Sequence, residues 1–112
     1  MVEVIACDEF ADWYRELDDT DIEEVTRVVD MLEMLGSGLR FPHSSAIQGS
    51  DYPLRELRIQ SKGRPLRVFY AFDPVRQAVL LIGGDKTGDR RFYERMVPKA
   101  EKIWVDYLDD NS

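Results

Sequence analysis

Apolar residues recur along this chain with two different periods, and the switches between those periods mark its elements. Val2-Glu3-Val4-Ile5-Ala6 is a short β-type run. Phe10, Trp13 and Leu17 then fall at helical spacing, and Asp8 is suited to cap the start of that helix. Thr20-Asp21-Ile22-Glu23 matches a capping box, which satisfies the free amides of a helix's first turn. Ile22, Val25, Val28, Val29, Leu32 and Leu35 continue an apolar stripe from it. Gly36 is placed to end that stripe. The two segments are expected to form an antiparallel helical pair with its stripe against a sheet. Residues 37–53 are rich in Gly, Ser and Pro, show no period, and are expected to be loop.

Three strand-like runs follow, at 54–60, 66–73 and 77–83, the last two joined around Asp73-Pro74-Val75-Arg76. Short connections between neighbouring strands imply an antiparallel meander. Pro98 is suited to the first turn of a final helix in which Ala100, Ile103, Trp104, Tyr107 and Leu108 share a face. The order β-α-α-β-β-β-α predicts one α+β domain over residues 1–112. An N-terminal strand and helical hairpin pack on the meander, and a C-terminal helix completes it.

The register of the first hairpin follows from its apolar pattern. With residues 61–64 as the loop, Leu57 faces Val68 and Ile59 faces Leu66, so both apolar pairs share one face. A loop one residue longer would set Arg67 opposite Ile59 and mix charge into that face. The preferred register places Arg58 directly opposite Arg67. Like charges in opposition destabilise a sheet, which suggests that an anion lies between them. The plainer alternative is that Glu56 neutralises one arginine and water solvates the other.

Charge distribution strengthens the case for an anion. The chain of 112 residues is −7 overall. Residues 1–39 hold twelve acids and two arginines, whereas residues 40–102 hold thirteen Lys and Arg against seven acids. A ligand responds to the local field rather than the sum, so a polarised chain can still grip phosphate with one face. The acidic half is equally explained as solvation of two helices. With 44% hydrophobic and 33% charged residues, the composition is that of a globular protein. The lone Cys7 excludes an internal disulfide framework and fits a reducing, cytoplasmic setting. No apolar run approaches the length of a membrane helix, so no membrane partner is expected.

Lys86 follows Gly83 and Gly84, which would permit close approach of a ligand. Asp85-Lys86-Thr87-Gly88 is not a phosphate-binding P-loop, because that motif needs Gly directly before the Lys and another five residues further upstream. Tyr93 is either an anchor for the last helix or an active phenol near the cations. His43, the only histidine, lies in the loop Arg40-Phe41-Pro42-His43-Ser44-Ser45. No His/Cys cluster has metal-ligand spacing, and Cys7 reads as a small buried hydrophobe.

Taken together, Arg55-Glu56-Leu57-Arg58, the strand Arg67-Val68-Phe69-Tyr70, the segment Leu80-Leu81-Ile82-Gly83-Gly84-Asp85-Lys86, and Phe92-Tyr93 before a terminal helix resemble the RelE/HigB superfamily of type II toxin–antitoxin toxins. The likeness is greater to its HigB-like, phage Gp49-related branch. The element order matches over essentially the whole chain. The resemblance implies a ribonuclease that cuts mRNA, usually on the ribosome, with no metal and no organic cofactor. It also implies a cognate antitoxin that covers the basic face or displaces a helix. Carried over by position, Arg58 and Arg67 hold the scissile phosphate with Lys86 beside it, while Tyr93 or His43 assists proton transfer. Arg55, Lys62, Arg64, Arg90 and Arg91 are the further candidates for RNA contact. The chain departs from the family pattern in its acidic overall charge and in Thr87, where many relatives carry a second cation.

Such chemistry suits these residue types. The 2′-hydroxyl of RNA attacks its own phosphate, so the protein must orient that attack and stabilise spreading negative charge. A tyrosine acts as a base near neutrality only when cations lower its pKa, and Lys86, Arg90 and Arg91 are the candidates for that. Two other functions fit the same fold: a ParE-like gyrase inhibitor, which needs no phosphate grip, and a non-catalytic module that binds RNA or protein.

Overall fold

The computed structural model describes all 112 residues. Its elements are β1 (Val4–Ala6), α1 (Asp8–Arg15), α2 (Asp19–Leu35), a short 3-10 turn (Gly36–Gly38), β2 (Ser44–Ala46), β3 (Arg55–Ser61), β4 (Arg64–Phe72), β5 (Ala78–Asp85) and α3 (Phe92–Asp110). The five strands form one sheet in the order β1-β5-β4-β3-β2. This is the expected α+β, RelE-like architecture. The meander β3-β4-β5 is antiparallel, and β1 adds to its β5 edge in parallel.

Alternation in the strands serves two cores, one on each face. Leu57, Ile59, Leu66, Val68, Tyr70 and Leu80 pack with Phe10 of α1 and with Val25, Val28 and Leu32 of α2. On the opposite face Phe69, Ala71, Val79 and Leu81 meet Phe92, Met96, Ala100, Ile103 and Trp104 of α3. The helical pair and the last helix therefore cover different faces, and α3 leaves part of its face open near the β3 side. No helix is long and apolar enough to cross a membrane.

The hairpin register is the expected one: Leu57 pairs with Val68, Arg58 with Arg67 and Ile59 with Leu66. The strands extend further than the pattern suggested, so that Ser61 pairs with Arg64 and only Lys62 and Gly63 form the turn. Both turn residues have positive φ, at 53° and 76°, the backbone that a tight two-residue hairpin requires.

Four boundaries differ from expectation, each for a local reason. Residues 37–53 are not all loop, because Ser44–Ala46 adds as a strand to the β3 edge; three residues without apolar alternation carry no visible signal. The cap of α2 is Asp18, whose carboxylate accepts from the Asp21 amide at 2.9 Å, rather than Thr20. Cys7, not Asp8, is the N-cap of α1. The last helix starts at Phe92, six residues before Pro98. Proline removes one helical hydrogen bond, but Pro98 is on the exposed side, where water can satisfy the freed carbonyl, while Phe92, Met96 and Ala100 pin the inner side.

Candidate active site

The part of the sheet left open by α3 is organised around one buried acid. Glu56 is 4% exposed and faces the α3 side from β3. Its Oε1 accepts from the Tyr93 hydroxyl at 2.7 Å, and its Oε2 accepts from Ser45 Oγ at 3.0 Å and Arg58 Nη1 at 3.3 Å. Arg67 Nε stands 3.6 Å from Oε1. Four elements thus converge on one carboxylate, since Ser45 comes from β2, Arg58 from β3, Arg67 from β4 and Tyr93 from the first turn of α3.

The anion between the opposed arginines is therefore the chain's own Glu56, and it serves both of them. Arg67 is itself 5% exposed, and its Nη1 donates to the Leu66 carbonyl at 3.0 Å. Its Nε has no hydrogen-bond partner. A buried N–H left unmet is costly, and this one is closed off from solvent with Glu56 as its nearest acceptor. Lys86 Nζ lies 5.4 Å from the centre of the Tyr93 ring. Arg58, Arg67 and Lys86 carry three positive charges against the single negative charge of Glu56, leaving a local excess that suits an anionic ligand.

Tyr93 differs from the sequence expectation in its acidity. Burial raises its pKa above the ordinary value, and the hydrogen bond to Glu56 adds to this, against a smaller opposing effect of Arg67. Lys86 meets the ring rather than the hydroxyl, so it does not supply the ionising field. The phenol stays protonated near neutrality and is a donor, not a base.

His43 contributes mainly backbone. Its carbonyl accepts from the Arg58 amide at 2.9 Å, and its imidazole takes no part in the hydrogen bonds around Glu56. Arg55 shares the other face with Leu57 and is bonded to Ser44 Oγ at 3.2 Å and the Tyr70 hydroxyl at 3.3 Å. Lys62 pairs with Asp18 at the hairpin tip. Arg64 grips Asp21 at 2.5 Å and Asp85 at 2.8 Å. Arg90 and Arg91 are exposed on the segment between β5 and α3, where Arg91 reaches Glu94 only at 3.9 Å. The cluster thus unites Arg58, Arg67, Lys86 and Tyr93, and leaves Arg55, Lys62 and Arg64 engaged elsewhere.

Glycines 83 and 84 serve the packing of helices rather than a ligand. A Cβ on Gly83 would lie 2.2 Å from the Trp13 ring, and one on Gly84 would lie 2.9 Å from the Phe92 ring. Cys7 is half-buried, and burial together with Glu9 and Asp8 pushes its thiol up to about 11, so it is an inert thiol. No three His, Cys, Asp or Glu side chains converge as metal ligands.

Glu56 and Ser45 were missed by sequence reasoning as members of the site. For Glu56 the signal was present: it shares its strand face with Arg58 and lies diagonal to Arg67 in the derived register. Nothing comparable marked Ser45.

Comparisons with known proteins identify the family. Residues 12–105 match the family described as Phage derived protein Gp49-like (DUF891). A Mycobacterium tuberculosis (strain ATCC 25618 / H37Rv) protein named "Putative toxin HigB3" is 37% identical over 98 residues, covering 86% of this chain and 84% of that protein. "Putative toxin HigB2" of the same organism is 33% identical over 99 residues, and the chain spans about half of its length (49%). No solved structure matches significantly. With nearly the whole sheet, both arginines and the start of α3 inside the matched residues, the chain belongs to the phage-derived Gp49-like family and is HigB-like.

Proposed function

We propose that this protein is the toxin of a toxin–antitoxin pair and acts as a metal-independent endoribonuclease on mRNA, engaged on the ribosome. The observation that carries the reading is the Arg58–Arg67 opposition straddled by Glu56, with the Tyr93 hydroxyl 2.7 Å from that carboxylate. A phosphate diester entering here meets Arg67 together with Arg58 and Lys86. Glu56 is the base that takes the 2′-hydroxyl proton as the oxygen attacks phosphorus. Tyr93, held protonated, gives its proton to the departing 5′-oxygen, and the products are a 2′,3′-cyclic phosphate and a free 5′-hydroxyl. RNA must part Glu56 from Tyr93 to reach the site, after which the two stand on opposite sides of the phosphate. General acid–base groups contribute roughly 10²–10⁴-fold each, and fixed donors at the phosphate contribute about 10²–10³-fold. The relatives named as toxins support the toxin role, and with it an antitoxin partner.

Primer extension on a reporter mRNA incubated with ribosomes and purified protein tests this. New 3′ ends that vanish with Arg67→Ala and Lys86→Ala, both still folded, are expected. Intact message with and without ribosomes would replace the nuclease by a non-catalytic binding module.

A further inference from the structure

Two features flank the cation cluster: one lies outside both cores and the proposed chemistry, and the other is a mostly apolar hollow that opens beside the Glu56–Tyr93 pair. One is Phe41, 72% exposed, whose ring centre lies 5.2 Å from the Arg58 guanidinium carbon. Its loop is fixed to the sheet: the His43 and Ser44 amides both donate to the Arg40 carbonyl, and the Arg58 amide donates to that of His43. Arg58 is in turn tied to Glu56. The ring is thus a preset platform with one face on a guanidinium and the rest in solvent. The second feature is a cleft of about 350 Å³ lined by Ala46, Ile47, Gln48, Glu56 and Tyr93. Its walls are mostly apolar, with the exposed Gln48 carboxamide at the rim.

We propose that these features hold the two bases on either side of the scissile phosphate. Phe41 stacks one base irrespective of its identity, and the Ile47–Gln48 cleft takes the other and reads its edge. The platform and the cleft meet β3 at Arg58 and Glu56, roughly 7 Å apart along one strand face, beside Arg67, which pairs across from Arg58 on β4. Every base has a π-face that can stack on an aromatic ring, so stacking gives affinity without sequence preference. A carboxamide offers both donors and an acceptor, the complement of a base edge. A protein anchor is the competing explanation for an exposed phenylalanine. It is disfavoured because Phe41 sits on a site arginine, while exposed Met34, Leu35 and Val75 belong to α2 and the β4–β5 turn.

This inference rests on the RNA reading above, and the test separates the two. The probes are fluorescein-labelled 2′-O-methyl hexanucleotides of A, C or U, which lack the attacking hydroxyl, and an abasic backbone of the same length. Fluorescence anisotropy should show the base-bearing strands bound at least about tenfold tighter than the abasic one. Phe41→Ala should weaken all three by about tenfold, and Phe41→Trp should retain affinity. Gln48→Ala should erase the ranking among bases while leaving the tightest affinity within about threefold. Both side chains are exposed, so the melting midpoint should not move. Phe41→Ala binding within about twofold of wild type, or an abasic strand bound as tightly as the others, overturns the stacking platform; an unchanged base ranking in Gln48→Ala overturns the reading cleft. Wild-type protein that binds no strand at all overturns the base sites, whereas the RNA reading itself fails only if primer extension with ribosomes also shows intact message.

Discussion

Arg64 and Arg67 stand three residues apart on β4 and meet their carboxylates in opposite ways. Arg64 is paired twice: its two Nη atoms reach Asp21 of α2 and Asp85 at the end of β5 at 2.5–2.8 Å, and Ser61 Oγ also donates to Asp21. Arg67 is more deeply buried yet under-bonded, with 3.6 Å to Glu56 and an orphaned Nε. One joins the helical layer to the sheet, and the other stands under-bonded beside an acid. Sequence composition counts both as cations. What separates them is whether their hydrogen-bonding needs are met within the chain, and an unmet need at a buried charge is where a ligand gains most.

Substitutions can break that contrast or sharpen it. The largest effect is expected from Glu56→Gln. The amide oxygen still accepts from Tyr93, but the buried Arg67 loses its counter-charge, so the melting midpoint should fall, while cleavage per folded molecule, measured by primer extension, falls roughly 10²–10⁴-fold. Retained cleavage would remove Glu56 as the base. Arg67→Ala should lose about 10²–10³-fold in rate, whereas Arg64→Ala should mainly lower the melting midpoint followed by circular dichroism, with activity per folded molecule preserved. Equal losses of rate in the two variants would erase the distinction drawn between them.

A packing test follows. Gly83→Ala places a carbon 2.2 Å from the Trp13 ring and should destabilise by about 2 kcal/mol or more in urea unfolding. Gly84→Ala, at 2.9 Å from the edge of Phe92, should lose less.

The smallest effects depend on pH. Ser61, and next Arg64, hold the Asp21 carboxyl below the usual carboxylate range. A depressed native pKa contributes stability that is complete above the unfolded value of about 4 and is lost as pH falls through the native one. The midpoint of wild type should therefore drop more steeply below about pH 4 than that of Asp21→Asn. Parallel curves would show the pair to be inconsequential. For Tyr93 the shift is upward, so the pH–rate profile should show no fall from its ionisation below about pH 10.

Much of the fold was legible because burial imposes parity on strands and a stripe on helices. Leu57, Ile59, Leu66 and Val68 fixed a hairpin register that the structure keeps in every one of those pairs. Ser44–Ala46 was illegible, since an edge strand of three small residues is defined by its partner rather than by its own pattern. The start of α3 was misplaced because Pro98 is a helix-start signal that tertiary packing overrides. The opposition of Arg58 and Arg67 could be derived, whereas the contact of Glu56 with Tyr93 spans 37 residues and depends on how α3 docks. Local pattern fixes faces and registers; it does not say which helix end arrives beside which strand.

The two adjacent glycines on β5 have a consequence for how this chain can change. Trp13 presses on one side of the strand at Gly83 and Phe92 on the other at Gly84, so both helical layers rest on backbone that lacks side chains. Every replacement of glycine adds at least one carbon. Variation at these positions is therefore least costly alongside a smaller residue at 13 or 92, which couples each glycine to its aromatic partner.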